Sequence, residues 1–272
     1  MQSACPGPTS MRSTSCASAI RSGHRISGIG EAPNGSFDTK YVDDDHVTSA
    51  IRVVARLDIK SPNLIKGIRL EGLRVVGDPH EHALRYFRAG ADEILYIDIV
   101  ASLYGRNSLA DLVRRTSEDV FVPMTVGGGV RSIDDARSLL RAGADKISVN
   151  TAAIQRPDLI GELCGVWGSS TIVLSVEAKR TGHGWEAYTD NGRERTGLDV
   201  RTWCEDAQRR GVGEILLTSV DREGTRSGFD LELLDHLGGS IEVPLILSGG
   251  FGTVDHALDA VRYPFVTGLA IA

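Results

Sequence analysis

The chain has 272 residues, 41% hydrophobic and 24% charged, a soluble globular composition with length for one large domain or two small ones. No apolar run approaches the ~20 residues of a membrane-spanning helix, and a formal charge of −6 argues against a dedicated nucleic-acid binder. Cys5, Cys16, Cys164 and Cys204 lack metal-ligand spacing, so free thiols in a reducing, cytoplasmic compartment are expected, with neither metal nor cofactor.

Residues 1–50 are rich in Ser, Gly, Pro and Thr and hold no sustained period of 2 or 3.6. Such a segment cannot bury enough apolar area to offset the entropy of ordering it. It is expected to be a disordered extension or a start placed too far upstream. Arg12, Arg21 and Arg25 before the first acid, Glu31, leave an organellar leader as the alternative.

From Ile51 onward, short β-rich runs alternate with amphipathic stretches. Strands are expected at 51–57, 93–97, 121–126, 146–149, 171–176, 214–218, 243–247 and 265–271. Helices are expected at 79–89, 108–116, 132–142, 157–166, 199–210, 231–237 and 254–261, the first opened by Asp78 and Pro79 and closed by Gly90. Apolar strands alternating with helices mean a parallel sheet buried on both faces. Eight such units predict a (β/α)₈ TIM barrel over 51–272, with no helix after the last strand. An open doubly wound sheet would want GxGxxG after its first strand, and none is present. Val122-Pro-Met-Thr-Val-Gly-Gly-Gly129 recurs as Val243-Pro-Leu-Ile-Leu-Ser-Gly-Gly250, the mark of a duplicated half-barrel.

Function in this fold sits at the C-terminal ends of strands. Those positions are Asp58, Asp98, Gly127 to Gly129, Asn150 with Thr151, Glu177, Thr218 with Ser219 and Asp221, and Ser248 to Gly250. Asp58 after the first strand and Glu177 after the fifth face each other across a ring of eight. They suit acid–base work on a small substrate if their environments separate their proton affinities; the plainer alternative is two solvated loop acids. Gly127 to Gly129 and Gly249-Gly250 let backbone N–H groups approach an anion, so two phosphate sites across one mouth are expected, the plainer alternative being glycine that only serves tight βα turns. Gly182 to Gly197 predicts a hairpin beside the mouth. Lys60 to Gly77 is long for a βα loop and suits a lid, with Lys66 either reaching an anionic substrate or lying on the surface. His183 and His256 stand alone and are expected to be solvated.

Seven stretches together carry a resemblance: Arg56-Leu-Asp-Ile-Lys60, Lys66-Gly67, Gly77-Asp-Pro79, Asp98-Ile-Val-Ala-Ser102, Gly127-Gly-Gly-Val-Arg131, Lys146-Ile-Ser-Val-Asn150 and Leu217-Thr-Ser-Val-Asp-Arg-Glu-Gly-Thr225. From Ile51 to Ala272 the chain resembles the cyclase subunits of imidazole glycerol phosphate synthase. A sister phosphoribosyl isomerase of the histidine pathway shares the Asp-Arg-x-Gly-Thr stretch but carries Asp-Leu-Asp-Gly-Ala after strand two. The resemblance implies a lyase of L-histidine biosynthesis. With ammonia it converts a bis-phosphorylated ribulosyl aminoimidazole carboxamide ribonucleotide to imidazole glycerol phosphate and aminoimidazole carboxamide ribotide. It implies Asp58 and Glu177 as general acid and base. It also implies phosphate contacts at Gly129, Asn150 and Thr151 at one end and Gly224 and Gly250 at the other, beside the strand-end residues Thr218 and Ser248. It further implies a heterodimer, with a glutaminase partner on the N-terminal barrel face. An ammonia gate of Arg52, Glu93, Lys146 and Glu214 is implied there, for which a structural ion cluster is the alternative.

Two positions depart from the family pattern. Glu177 stands where aspartate is usual, and Arg56 where cysteine is more frequent. A carboxylate moved by about one ångström can cost ~10²-fold in rate. A paralogue supplying ammonia for sugar modification in surface polysaccharide synthesis therefore stays open, as does a non-catalytic scaffold for an amidotransferase.

Overall fold

The computed structural model describes residues 51–101 and 109–272. Residues 1–50, Ser102 and the expected helix start at Ser108 lie outside the described residues. In chain order the elements are β1 (Arg52–Lys60), β2 (Asn63–Ile68), β3 (Glu71–Gly77), α1 (Pro79–Arg88), β4 (Glu93–Asp98), α2 (Ala110–Ser117), β5 (Met124–Gly127), α3 (Ile133–Ala142), β6 (Lys146–Val149), α4 (Thr151–Gln155) and α5 (Asp158–Trp167). There follow β7 (Ile172–Thr181), β8 (Gly184–Thr189), β9 (Glu194–Asp199), α6 (Val200–Arg209), β10 (Glu214–Ser219), α7 (Leu231–Leu237), β11 (Leu245–Ser248), α8 (Val254–Ala260) and β12 (Val266–Ile271).

Eight strands pair in parallel in the order β1-β4-β5-β6-β7-β10-β11-β12, and β12 pairs back onto β1. The ring is the (β/α)₈ barrel that the sequence predicts. Helix boundaries follow local chemistry. Asp78, Ser132 and Asp199 accept from the N–H of Glu81, Asp135 and Thr202 and open α1, α3 and α6, as N-cap side chains do.

The other four strands are rim extensions. β1 and β7 run past the barrel; β2–β3 add antiparallel to β1, and β8–β9 to β7. The expected hairpin at 182–197 is present as β8–β9. The 60–77 stretch, expected as a loop, is instead the β2–β3 hairpin. Two register shifts and a largely exposed β3 erase the alternation that would have announced it. The strand expected from Phe121 begins at Met124, and Phe121 is 76% exposed.

Outward-facing strand residues pack against the helices in one continuous core. The barrel interior is layered. Arg52, Glu93, Lys146 and Glu214 stand at the strand starts. Above them Val54, Leu95, Val173, Leu216, Ile246 and Ala270 form a second, apolar cluster. Thr125 and Ser148 share that level by register with Leu95 and Val173. Arg56, Asp58, Glu177, Thr218 and Ser248 occupy the next level, at the mouth.

Candidate active site

Asp58 and Glu177 lie on β1 and β7, four strands apart in either direction round the ring, and both are buried. Asp58 accepts from Arg56 Nε at 2.9 Å. Arg56 is 4% exposed, and its Nη1 donates to Thr218 Oγ1 at 2.8 Å and Ser248 Oγ at 3.0 Å. One guanidinium thus spans β1, β10 and β11 above the apolar layer. Burial works against its charge, but Asp58, Glu223 and Glu177 outweigh burial and hold it protonated. Thr218 and Ser248 are therefore acceptors for Arg56 in this arrangement.

Burial pushes the Glu177 carboxyl up to about 7. The Gly192 N–H, which donates to Oε2 at 2.8 Å, and Arg56 pull it down, while Asp58 and Asp190 push it further up. The site thus joins a carboxyl able to hold a proton near neutrality with a carboxylate paired to arginine. A carboxyl of that proton affinity suits proton transfer near neutral pH.

Two recesses open on this rim. A cavity of about 1020 Å³ holds Arg56, Asp58, Lys66, Glu223, Gly224 and Gly250. A smaller one, about 180 Å³, holds Gly129, Asn150, Thr151, Glu177, Asp190 and Asn191. Each recess therefore pairs one of the two carboxylates with one of the two glycine turns. Close backbone approach explains the glycines: a Cβ at Gly128 (φ +99°) would lie 2.3 Å from the Asp98 carbonyl oxygen. One at Gly250 (φ +104°) would lie 2.1 Å from that of Gly228.

The remaining expected residues fall as follows. Lys66 sits on the β2–β3 hairpin, and its Nζ donates to Glu223 Oε1 at 2.7 Å. Asn150 Nδ2 donates to the Tyr188 carbonyl at 3.3 Å, while its Oδ1 is buried without a partner. Thr151 Oγ1 accepts from the Asp190 N–H at 3.3 Å. At the opposite barrel end, Arg52 reaches Glu93 and Glu214 at 2.5 Å each, and Lys146 reaches Glu214 at 2.8 Å and Glu93 at 3.5 Å. All four residues thus form one charge-balanced cluster at the barrel floor.

The sequence reading did not assign Glu223 or Asn191 to the site, and it treated Arg56 only as a departure. Glu223 is buried; burial raises its proton affinity, but Arg56 and Lys66 outweigh burial and hold it below the usual carboxylate range. Its place in Asp221-Arg-Glu-Gly-Thr225 was the available signal. Asn191 had the weaker signal of a turn, Asp190-Asn-Gly192.

The family model described as histidine biosynthesis protein matches residues 52–272. The imidazole glycerol phosphate synthase subunit HisF of Legionella pneumophila is 58% identical over 208 residues, 76% of this chain and 98% of that relative. The subunit of the same name in Gluconacetobacter diazotrophicus is 49% identical over 213 residues, 78% of this chain and 83% of the relative. That of Micrococcus luteus is 50% identical over 217 residues, covering 78% and 85%. On the family match and on these identities, the chain belongs to the histidine biosynthesis protein family, among the cyclase subunits of imidazole glycerol phosphate synthase.

Proposed function

We propose that the chain is an ammonia-dependent cyclase and lyase that closes an imidazole ring on a bis-phosphorylated aminoimidazole carboxamide ribonucleotide. The products are imidazole glycerol phosphate and aminoimidazole carboxamide ribotide, in L-histidine biosynthesis. The supporting observation is the pairing of one carboxylate with one glycine turn in each of two recesses on a single rim. A substrate with a phosphate at each end would lie across the mouth, with its reacting centre between Asp58 and Glu177.

Glu177 is the proton donor in this reading. Near neutrality it still holds a proton to give to the carbonyl oxygen that leaves as water when ammonia adds. Asp58, paired with Arg56, is the acceptor for protons shed by nitrogen. Lys66 and the turns at Gly129 and Gly250 are the anion contacts, with Gly224, Asn150 and Thr151 beside them.

Ammonia would arrive through the barrel from a glutaminase partner on the N-terminal face. The interior is suited to a small neutral donor. The floor leaves Glu93 Oε2 buried without a partner, and the apolar layer holds the unpartnered hydroxyls of Thr125 and Ser148. An unsatisfied buried acceptor costs about 1–3 kcal/mol, and a passing N–H group would relieve each in turn. No described helix is long and apolar enough to cross a membrane.

The test is turnover of the precursor with an excess of ammonium salt near neutral pH, where Glu177 still holds its proton. Wild type is expected to release both products. Asp58→Asn and Glu177→Gln are each expected to lose at least ~10²-fold in kcat. An unchanged rate in either variant removes that residue from the mechanism, and no cyclisation by wild type overturns the reading.

A further inference from the structure

Asn191 occupies an unusual position. It is buried in a left-handed conformation (φ 61°), between Asp190 (φ 53°) and Gly192 (φ 71°), in the turn joining β8 to β9. Asparagine tolerates this region better than most side chains. Its Nδ2 donates to the Leu70 carbonyl at 3.3 Å, and its Oδ1 is buried with no partner. Exchanging the two amide atoms would set oxygen against the Leu70 oxygen, so this orientation is fixed by its partner. Leu70 lies at the tip of the β2–β3 hairpin, buried and itself at φ 62°. The tip has two more anchors, on the loop after β10, the strand beside β7: the Arg69 N–H donates to the Glu223 carbonyl at 2.8 Å, and Lys66 Nζ to the Glu223 carboxylate. One residue after Asn191, the Gly192 N–H donates to Glu177.

We propose that Asn191 is a positioning residue that makes the hydrogen bond on Glu177 depend on the seating of the β2–β3 hairpin. This rests on Glu177 being the proton donor named above. With the tip seated, the Asn191 amide is bonded to Leu70, the turn is fixed and Gly192 presents its N–H to the carboxylate. With the tip lifted, Asn191 loses its partner while its Oδ1 remains unsatisfied, so the turn relaxes and the N–H withdraws. That N–H favours the charged carboxylate, so its loss raises the proton affinity of Glu177. The open site therefore keeps its acid loaded, and closure over a substrate lowers the cost of releasing the proton.

Other groups around Glu177 also act on it, and the test must separate them. β1 contributes Arg56 and Asp58, and the turn contributes Asp190. Lys179 packs near Gly192, and Asp98 lines the same recess. The flanking β6 and β10 present the neutral Ser148 and Thr218. None of these is altered by Asn191→Gly. Glycine adopts the left-handed region freely, so that variant deletes the anchor to Leu70 without adding backbone strain to the turn.

The experiment follows the Glu177 carboxyl by ¹³C NMR in the full chain without substrate, its resonance identified by loss in Glu177→Gln. Asn191→Gly is expected to raise the titration midpoint by about one pH unit, tenfold in proton affinity. An unmoved midpoint overturns the proposal. Lys66→Met, which weakens the other anchor, is expected to raise the midpoint in wild type and to add nothing in Asn191→Gly. Fully additive shifts would mean a direct charge effect and would also overturn it. Because no substrate is present, a chain that shifts as expected yet fails to cyclise retires the proposed reaction and leaves the coupling standing. A chain that cyclises without the shift does the reverse.

Discussion

Arg56 is a buried cation among Asp58, Glu177 and Glu223, and all three carboxylates contribute to holding its charge. Arg56→Met would leave those acids facing one another. Breaking one partner of a buried ion pair typically costs ~3–5 kcal/mol, so urea unfolding at neutral pH should show a loss of that order. The Glu177 midpoint should also rise, because Arg56 is one of the groups that lowers it. Glu177 itself makes stability pH-dependent. Its folded-state proton affinity is raised, to about 7. The folded chain therefore binds more protons than the unfolded chain between about pH 4.5 and 7, and stability falls as pH rises through that window. Glu177→Gln should equal wild type near pH 4 and exceed it by up to ~3 kcal/mol near pH 8, in matched urea titrations. The reverse order at high pH would mean that the carboxylate is fully compensated. Asp58 and Glu177 were legible in the sequence because each directly follows an apolar run that forms a barrel strand. The role of Arg56 was not, because its partners Thr218 and Ser248 lie 162 and 192 residues away in the chain.

The rim hairpins are the elements in which local pattern and structure part most. β8–β9 carries Trp185-Glu-Ala-Tyr-Thr189 before Asp190-Asn-Gly192, an alternation and a turn that announce themselves. β2–β3 does not. Ile68, Val75 and Val76 are exposed on it, and its register shifts twice, so the period-2 signal is lost. The five-residue α4 is too short to leave a periodic trace. Gly224 shows how tightly β2–β3 is seated: a Cβ there would come 2.5 Å from the Gly67 carbonyl oxygen, at a φ of +72°. Gly224→Ala should lift the hairpin. We expect faster proteolytic cutting near Gly72, a KM for the bis-phosphorylated precursor raised at least ~10-fold, and an unfolding midpoint lowered by the strain of a side chain at that φ. A KM equal to wild type would show that the hairpin is not part of the substrate site.

At the scale of the whole molecule, the duplicated half-barrel sets the two glycine turns and the two acids on opposite sides of one ring. The paired repeats Val122 to Gly129 and Val243 to Gly250 made that symmetry readable before any coordinates. The floor was readable only through the family resemblance, since four charges at strand starts look like ordinary surface until the ring closes around them. Arg52 pairs with both floor acids, and its side chain keeps 26% exposure. Solvent screening therefore softens its loss. Arg52→Ala should destabilise the fold by about 1–3 kcal/mol in urea unfolding.

In the proposed reaction one substrate molecule spans the mouth with a phosphate in each recess. This is tested most directly by ³¹P NMR of the bis-phosphorylated precursor titrated with the Glu177→Gln chain, which should bind without turning over. Both phosphorus resonances are expected to shift together, with one midpoint and one equivalent of protein. Movement of only one resonance, or separate midpoints for the two, would rule out a single substrate spanning both recesses.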